Sequence, residues 1–308
     1  MPKGPEKVLK LMDKHQWKLL HFAAHTDWPD DTIKLLMKVC LIPNPSKVDL
    51  VELAKSLDWP LDMVKKVLTN VENINHLDKN QRTALHLAAN RDNYRFIRSL
   101  VKVLWVEKVT DFGRLFCSVS WPFIQLTIHL ILTPTTYPKV NVDAPDGKGM
   151  TSLHYAAKKG HGRVLTTLCL ARANGNAKTM SGGNKTPVHL ACQEGHVHAV
   201  RILHNHARAD LHITTKQGKN CIHLAAASNG THSVKTIDYL FQNCKYGVND
   251  KDLSMSAALH YAAECGNLDN VRCLVEKYKA DMNLQDKCGQ TPMHIAAFKV
   301  ASFREELK

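Results

Sequence analysis

Histidine is the residue that invites a chemical reading of this chain, because there are 18 of them. His21 and His25 stand four apart, close enough to share one helix face, and His196/His198 and His204/His206 are tighter pairs. A zinc site needs three or four donors converging at fixed distance. Seven of the histidines are claimed instead by a recurring hexapeptide, so the chain is read as holding no metal and no cofactor. The nine cysteines contain no CxxC pair, and the closest two are Cys265 and Cys273. That spacing fits neither a zinc ribbon nor a disulfide framework and suits a reducing compartment. Cys192 and Cys221 lie in apolar runs, where a thiol is a small inert hydrophobe. Gly182-Gly183-Asn184-Lys185-Thr186 has the look of a phosphate loop, but Asn184 separates glycine from lysine and no strand precedes it. With no carboxylate pair or nucleophile–base order to name, the expected class is a binder, not an enzyme.

The hexapeptide is clearest as Thr186-Pro187-Val188-His189-Leu190-Ala191. Close copies surround His86, His154 and His294, and looser ones surround His21, His223 and His260. From His154 onward the gaps between motif histidines are 35, 34, 37 and 34 residues; the two earlier gaps, 65 and 68, are each about two periods. Each copy reads as a helix start. Threonine can serve the orphan N–H groups of the first turn, and Pro187 and Pro292 stand where a helix tolerates proline. A second apolar stretch such as Val200–Leu203 or Val271–Val275 reads as an antiparallel helix, with Gly160, Gly195 and Gly266 at the junctions. No such unit buries its apolar face alone, so units must stack.

A period near 33 with this motif resembles the ankyrin repeat. The resemblance implies an all-α solenoid of about eight helix-turn-helix units joined by short β-hairpin loops. It also implies that His21, His86, His154, His189, His223, His260 and His294 are structural, each bridging backbone groups of neighbouring loops. Repeats are expected over residues 14–101 and again over 140–308, the last one incomplete or a polar cap. Residues 45–75 lack the motif yet echo the first unit at an offset of 31, Asp58-Trp59-Pro60 answering Asp27-Trp28-Pro29, with Glu52 in the histidine position. They read as a degenerate second repeat, or else as a small helical domain. Residues 102–139 break the pattern, and Leu115–Leu132 runs for 18 residues without a formal charge. Pro122, Gln125 and His129 argue against a membrane span, leaving a degenerate repeat, an insertion or non-native sequence.

Charge narrows the partner. The net charge is +13, and residues 139–219 hold 12 Lys/Arg against 4 Asp/Glu, a net +8. Such a span attracts an acidic protein segment first, and phosphoinositide headgroups or nucleic acid second. Ankyrin proteins bind with their hairpin tips and with the exposed positions after the first helix begins. Carried onto this chain, the resemblance points to Lys148 and Lys219 at tips, and to Lys158, Lys159, His161, Gln193, Glu194 and His196 along the inner row. Asn184, Gln217, Lys287, Gln290, Arg91 and Asn267 occupy equivalent places. The expectation is a cytoplasmic or nuclear adaptor. The alternative is the cytoplasmic ankyrin region of a larger membrane protein, for example a TRP-type channel, present as a fragment.

Overall fold

The six-residue motif folds as the opening turn of a short helix in every described copy. The residue before the helix is extended, as at Thr151 (φ −91°, ψ 170°), and the motif histidine is the third helical residue. Its Nδ1 accepts the N–H of that preceding residue, from Thr83, Thr151, Thr186, Asn220, Ala257 and Thr291 alike, at 3.0–3.2 Å. One of the four N–H groups that a helix start leaves unpaired is thereby satisfied from within the motif.

The structure is a computed structural model that describes residues 14–15, 18–41, 47–58, 75–101 and 140–306. The stretch 102–139, the apolar run inside it, and the second half of the echo in 45–75 lie outside those residues. Among the described residues the chain is helical, with no strand, and it divides into two compact units at Ala144/Pro145.

The first unit contains α1 (Leu19–His25), α2 (Asp30–Leu41), α3 (Lys47–Leu57), α4 (Ala84–Asn90) and α5 (94–101). α1 packs directly on α4, and α3 packs on α2. His21 Nε2 donates to Arg82 O at 3.0 Å, and Asn93 Nδ2 reaches the carbonyls of Ala23, Ala24 and Thr26 at 3.2, 3.2 and 2.8 Å.

The second unit is a regular series. Its helix pairs are α6 (Ser152–Lys159) with α7 (Gly162–Leu170), α8 (Pro187–Gln193) with α9 (Val197–His206), α10 (Cys221–Ala226) with α11 (Ser233–Asn243), and α12 (Ala258–Cys265) with α13 (Leu268–Arg272), which continues as a π turn to Lys277. First helices pack on first helices, α6 on α8, α8 on α10, α10 on α12. The paired small residues make this approach possible: Ala156, Ala157, Ala191, Cys192, Ala225 and Ala226 are all fully buried. Gly160, Gly195 and Gly266 end three of these helices at φ +71°, +73° and +67°. In the last copy Val300 holds that position. A β-branched residue resists positive φ, and α14 (Pro292–Glu306) runs on as one unbroken helix instead of turning into a pair.

Between pairs the chain turns back through hairpin tips too short to count as strands. Asp146 N–H donates to Met150 O at 2.9 Å, and Asp146 Oδ1 accepts from Lys148 and Met150 N–H at 2.8 Å. Asp252 and Asp286 repeat the arrangement. Each tip also hands a carbonyl to the next: Lys148 O to Met180 N–H, Gly183 O to Lys216 N–H, Gln217 O to Leu253 N–H and Ser254 O to Lys287 N–H, at 2.8–3.1 Å.

Candidate interaction surface

The motif histidines are the joints of the stack. His154 Nε2 donates to Lys185 O at 3.1 Å, His189 to Ile213 O at 2.9 Å, His223 to Asp250 O at 3.0 Å and His260 to Leu284 O at 3.1 Å. Each of these carbonyls belongs to the loop leading into the next repeat. With Nδ1 accepting a backbone N–H, the proton must sit on Nε2, so the rings are neutral. Burial favours that form, holding His21 at about 4 and His223 below the usual histidine range. All six inner histidines are at most 2% exposed. His294, in the last copy, is exposed, and its Nε2 meets no acceptor among the described residues.

Among the described residues the remaining histidines are spread out, not gathered. His25 faces the Arg91 guanidinium at 3.0 Å, and His204 Nδ1 lies 2.8 Å from the Tyr239 hydroxyl. Among the described residues there is no group of three or more His, Cys, Asp or Glu that could hold a metal ion. Cys192 and Cys221 are both buried, the Cys221 thiol directed at Leu211 O at 3.6 Å, and burial pushes the Cys192 thiol well up.

The polar residues singled out by the resemblance fall into two groups. His161 and His196 are half-buried, and His196 lies against the preceding repeat, since a Cβ on Gly160 would be 2.9 Å from its Cγ. Lys148, Lys158 and Lys159 are exposed, the first at a tip and the other two in the last turn of α6, where the helix dipole favours cations. Gln193, Glu194 and Lys219 are half-buried on the next two repeats.

One residue and one ring absent from that reading complete the surface. Lys185 stands four residues before His189, as Lys219 stands four before His223. Its side chain folds back so that Nζ donates to Gln193 Oε1 at 2.6 Å. Burial, then the charges of Lys219 and Lys158, hold the Lys185 ammonium below the usual lysine range, with Glu194 opposing them. Lys219 Nζ lies 4.2 Å over the Tyr261 ring, a cation–π contact. Beside it opens a shallow cavity of about 460 Å³, lined by Lys219, Ala227, Tyr261, Glu264, Cys265, Gly266 and Lys299. Three lysines from three successive repeats thus share one electrostatic field along one face. The common offset of Lys185 and Lys219 was the signal in the sequence; Tyr261 carried none.

The comparisons with known proteins agree with this architecture. A family model described as ankyrin repeats matches in three copies, at residues 50–179, 170–252 and 226–303. The chain belongs to the ankyrin-repeat family, whose repeats are protein-interaction modules. It is similar to the probable 26S proteasome regulatory subunit p28 of Saccharomyces cerevisiae, 35% identical over 35% of this chain and 46% of that protein. It resembles the palmitoyltransferase AKR1 of Lachancea kluyveri, 30% identical over 51% of this chain and 21% of that one. The human transient receptor potential cation channel subfamily A member 1 is 25% identical over 76% of this chain and 21% of its own length. The chain therefore spans less than half the length of each of these relatives. No helix among the described residues is long and apolar enough to cross a membrane.

Proposed function

We propose that this chain is a non-catalytic scaffold or adaptor, working in the cytoplasm or nucleus, that takes up an acidic segment of another protein. The receiving surface is the face of residues 145–308 that carries Lys148, Lys158, Lys159, Lys185, Gln193 and Lys219, with residues 14–101 forming the earlier repeats and 102–139 set between. The observation that carries the reading is the row of Lys158, Lys185 and Lys219 along one face, where burial first and then the charges of the other two hold Lys185 below its usual range, with Glu194 opposing them. Like charges held together on a folded scaffold store repulsion that an anionic partner relieves. A second reading places this region in the cytoplasmic part of a larger membrane protein of the TRP type. The similarity over 76% of this chain to a TRP channel subunit supports it. Both readings use the same surface.

A fluorescent poly-glutamate peptide tests the reading, titrated into the protein at low and near-physiological salt. Saturable binding that the Lys158→Glu, Lys185→Glu, Lys219→Glu triple variant loses, with helicity unchanged, supports it. Tighter binding to phosphoinositide vesicles or duplex DNA than to the peptide would overturn the assignment of a protein partner.

A further inference from the structure

The cavity beside Tyr261 lies at the joint where the repeat pattern changes. At two earlier joints the glycine six residues after the motif histidine is covered by the next repeat. A Cβ on Gly160 would lie 2.9 Å from His196 Cγ, and one on Gly195 would lie 2.9 Å from Ser228 Oγ. Gly266 holds the same position after His260 and lines the cavity, yet among the described residues a Cβ there would meet nothing within 4 Å. In the repeat that follows it, α14 runs straight on instead of turning into a second helix. The molecule thus shows at Gly160 a ring laid on this glycine position, and at Gly266 the same position open.

The lining suits a flat apolar group with negative charge beside it. Its volume of about 460 Å³ falls among those of ligand sites. Ala227, Cys265 and Gly266 supply small, weakly polar walls. The Tyr261 ring is a fixed wall, its edge 5.8 Å from the buried His223 ring and its hydroxyl donating to Asp252. Two ammonium groups, Lys219 and Lys299, stand against one carboxylate, Glu264. Burial and then Glu264 push the Cys265 thiol up, while Lys299 and Lys219 oppose them, so both lysine charges are felt inside the cavity. We propose that the cavity takes an aromatic side chain of the acidic segment, laid against Gly266 as His196 is laid against Gly160, with a neighbouring carboxylate meeting Lys219 and Lys299. A ring fits better than an aliphatic chain because Tyr261 offers it an aromatic partner and Lys219 a cation. This rests on the acidic-segment reading above and adds an anchor to it. The lysines draw the segment in, but exposed ion pairs contribute little once formed. The buried ring supplies most of the affinity.

The test uses the full chain and labelled peptides of equal length. Three are built from Glu and Gly with Trp, Leu or Ala at the centre, and in a fourth Gln replaces Glu around the Trp. The Glu peptide with Trp should bind about tenfold tighter than the one with Ala, with Leu between them. Cys265→Phe fills the cavity from an exposed helix end; it should remove that difference and leave the Ala peptide unchanged, with helicity checked by circular dichroism. The comparison on the unaltered chain stands whether or not the variant folds. Equal affinity for the Trp and Ala peptides would overturn the anchor while leaving an acidic partner in place. Equal affinity for Trp and Leu would overturn the choice of a ring. A Gln peptide that binds as tightly as its Glu counterpart would overturn the part given to Lys219 and Lys299. A tenfold difference that persists in a folded Cys265→Phe variant would place the ring elsewhere. Failure of every Glu peptide to bind would remove the acidic-partner reading itself.

Discussion

Replacing His189 by alanine tests the joint between repeats where it is most fully formed. The ring is fully buried, accepts the Thr186 N–H at 3.0 Å and lies 2.9 Å from Ile213 O. Alanine removes both partners and leaves a buried donor and a buried acceptor unpaired. Each such group costs about 1–3 kcal/mol, and the lost ring leaves a cavity between α8 and its neighbours that adds to it. Water entering that cavity recovers part of the loss, so a net cost of about 3 kcal/mol is expected, near the upper end for single substitutions. For a cooperative unit of this size that is a fall in Tm of roughly 6–12 °C. The assay is thermal and urea denaturation followed by circular dichroism, with His294→Ala as the internal control. His294 makes the same bond to its own Thr291 N–H at 3.2 Å, but it is exposed and its Nε2 has no acceptor among the described residues. The control should cost less than about 1 kcal/mol. Equal losses in the two variants would refute the reasoning, because they would place the contribution of the imidazole in the helix start and not in the bridge between repeats.

Further measurements follow from the same geometry. His21 is held at about 4 in the folded chain by burial, against about 6.5 unfolded. The lowered value favours the neutral ring, so the stability it contributes is complete above about pH 6.5 and is lost as pH falls towards 4. The loss is about 3 kcal/mol; urea midpoints that stay flat from pH 7 to pH 4.5 would contradict it. Gly160→Ala places a methyl group at φ +71° against the His196 ring and should cost about 1–2 kcal/mol; a stabilised variant would show that the seam has room. Asn93→Ala should destabilise the first unit by about 2 kcal/mol, because it frees the ends of three carbonyls at the close of α1. An unchanged urea midpoint would mean that α1 is not anchored on the repeat of His86.

Much of the fold was legible in the residue order because the ankyrin unit is local. The Thr-x-x-His spacing puts the imidazole over its own helix start, a relation set by the turn of a helix and by nothing further away. The period, the paired alanines and the junction glycines are likewise short-range instructions. The recurring aspartates of the hairpin tips, Asp146, Asp252 and Asp286, hold their loops through backbone groups only two and four residues on. Other outcomes needed the stack. That α1 closes directly on α4, far along the chain, depends on which faces meet in space. Val300 ends the regular alternation of helices, which a count of periods does not reveal.

The surface divides along the same line. Sequence alone determined that the chain repeats, that it is helical, and that positive charge concentrates between residues 139 and 219, because composition and spacing are properties of the order itself. Only tertiary structure decided which charges act together. Lys158 and Lys185 are 27 positions apart and belong to different repeats, and they share a field because α6 packs on α8. His196 stands at the same offset as His161, and only the stack shows that its ring lies against Gly160 of the preceding repeat. An electrostatic site depends on distance through space, and in a stacked array that distance is set by how one repeat rests on the next.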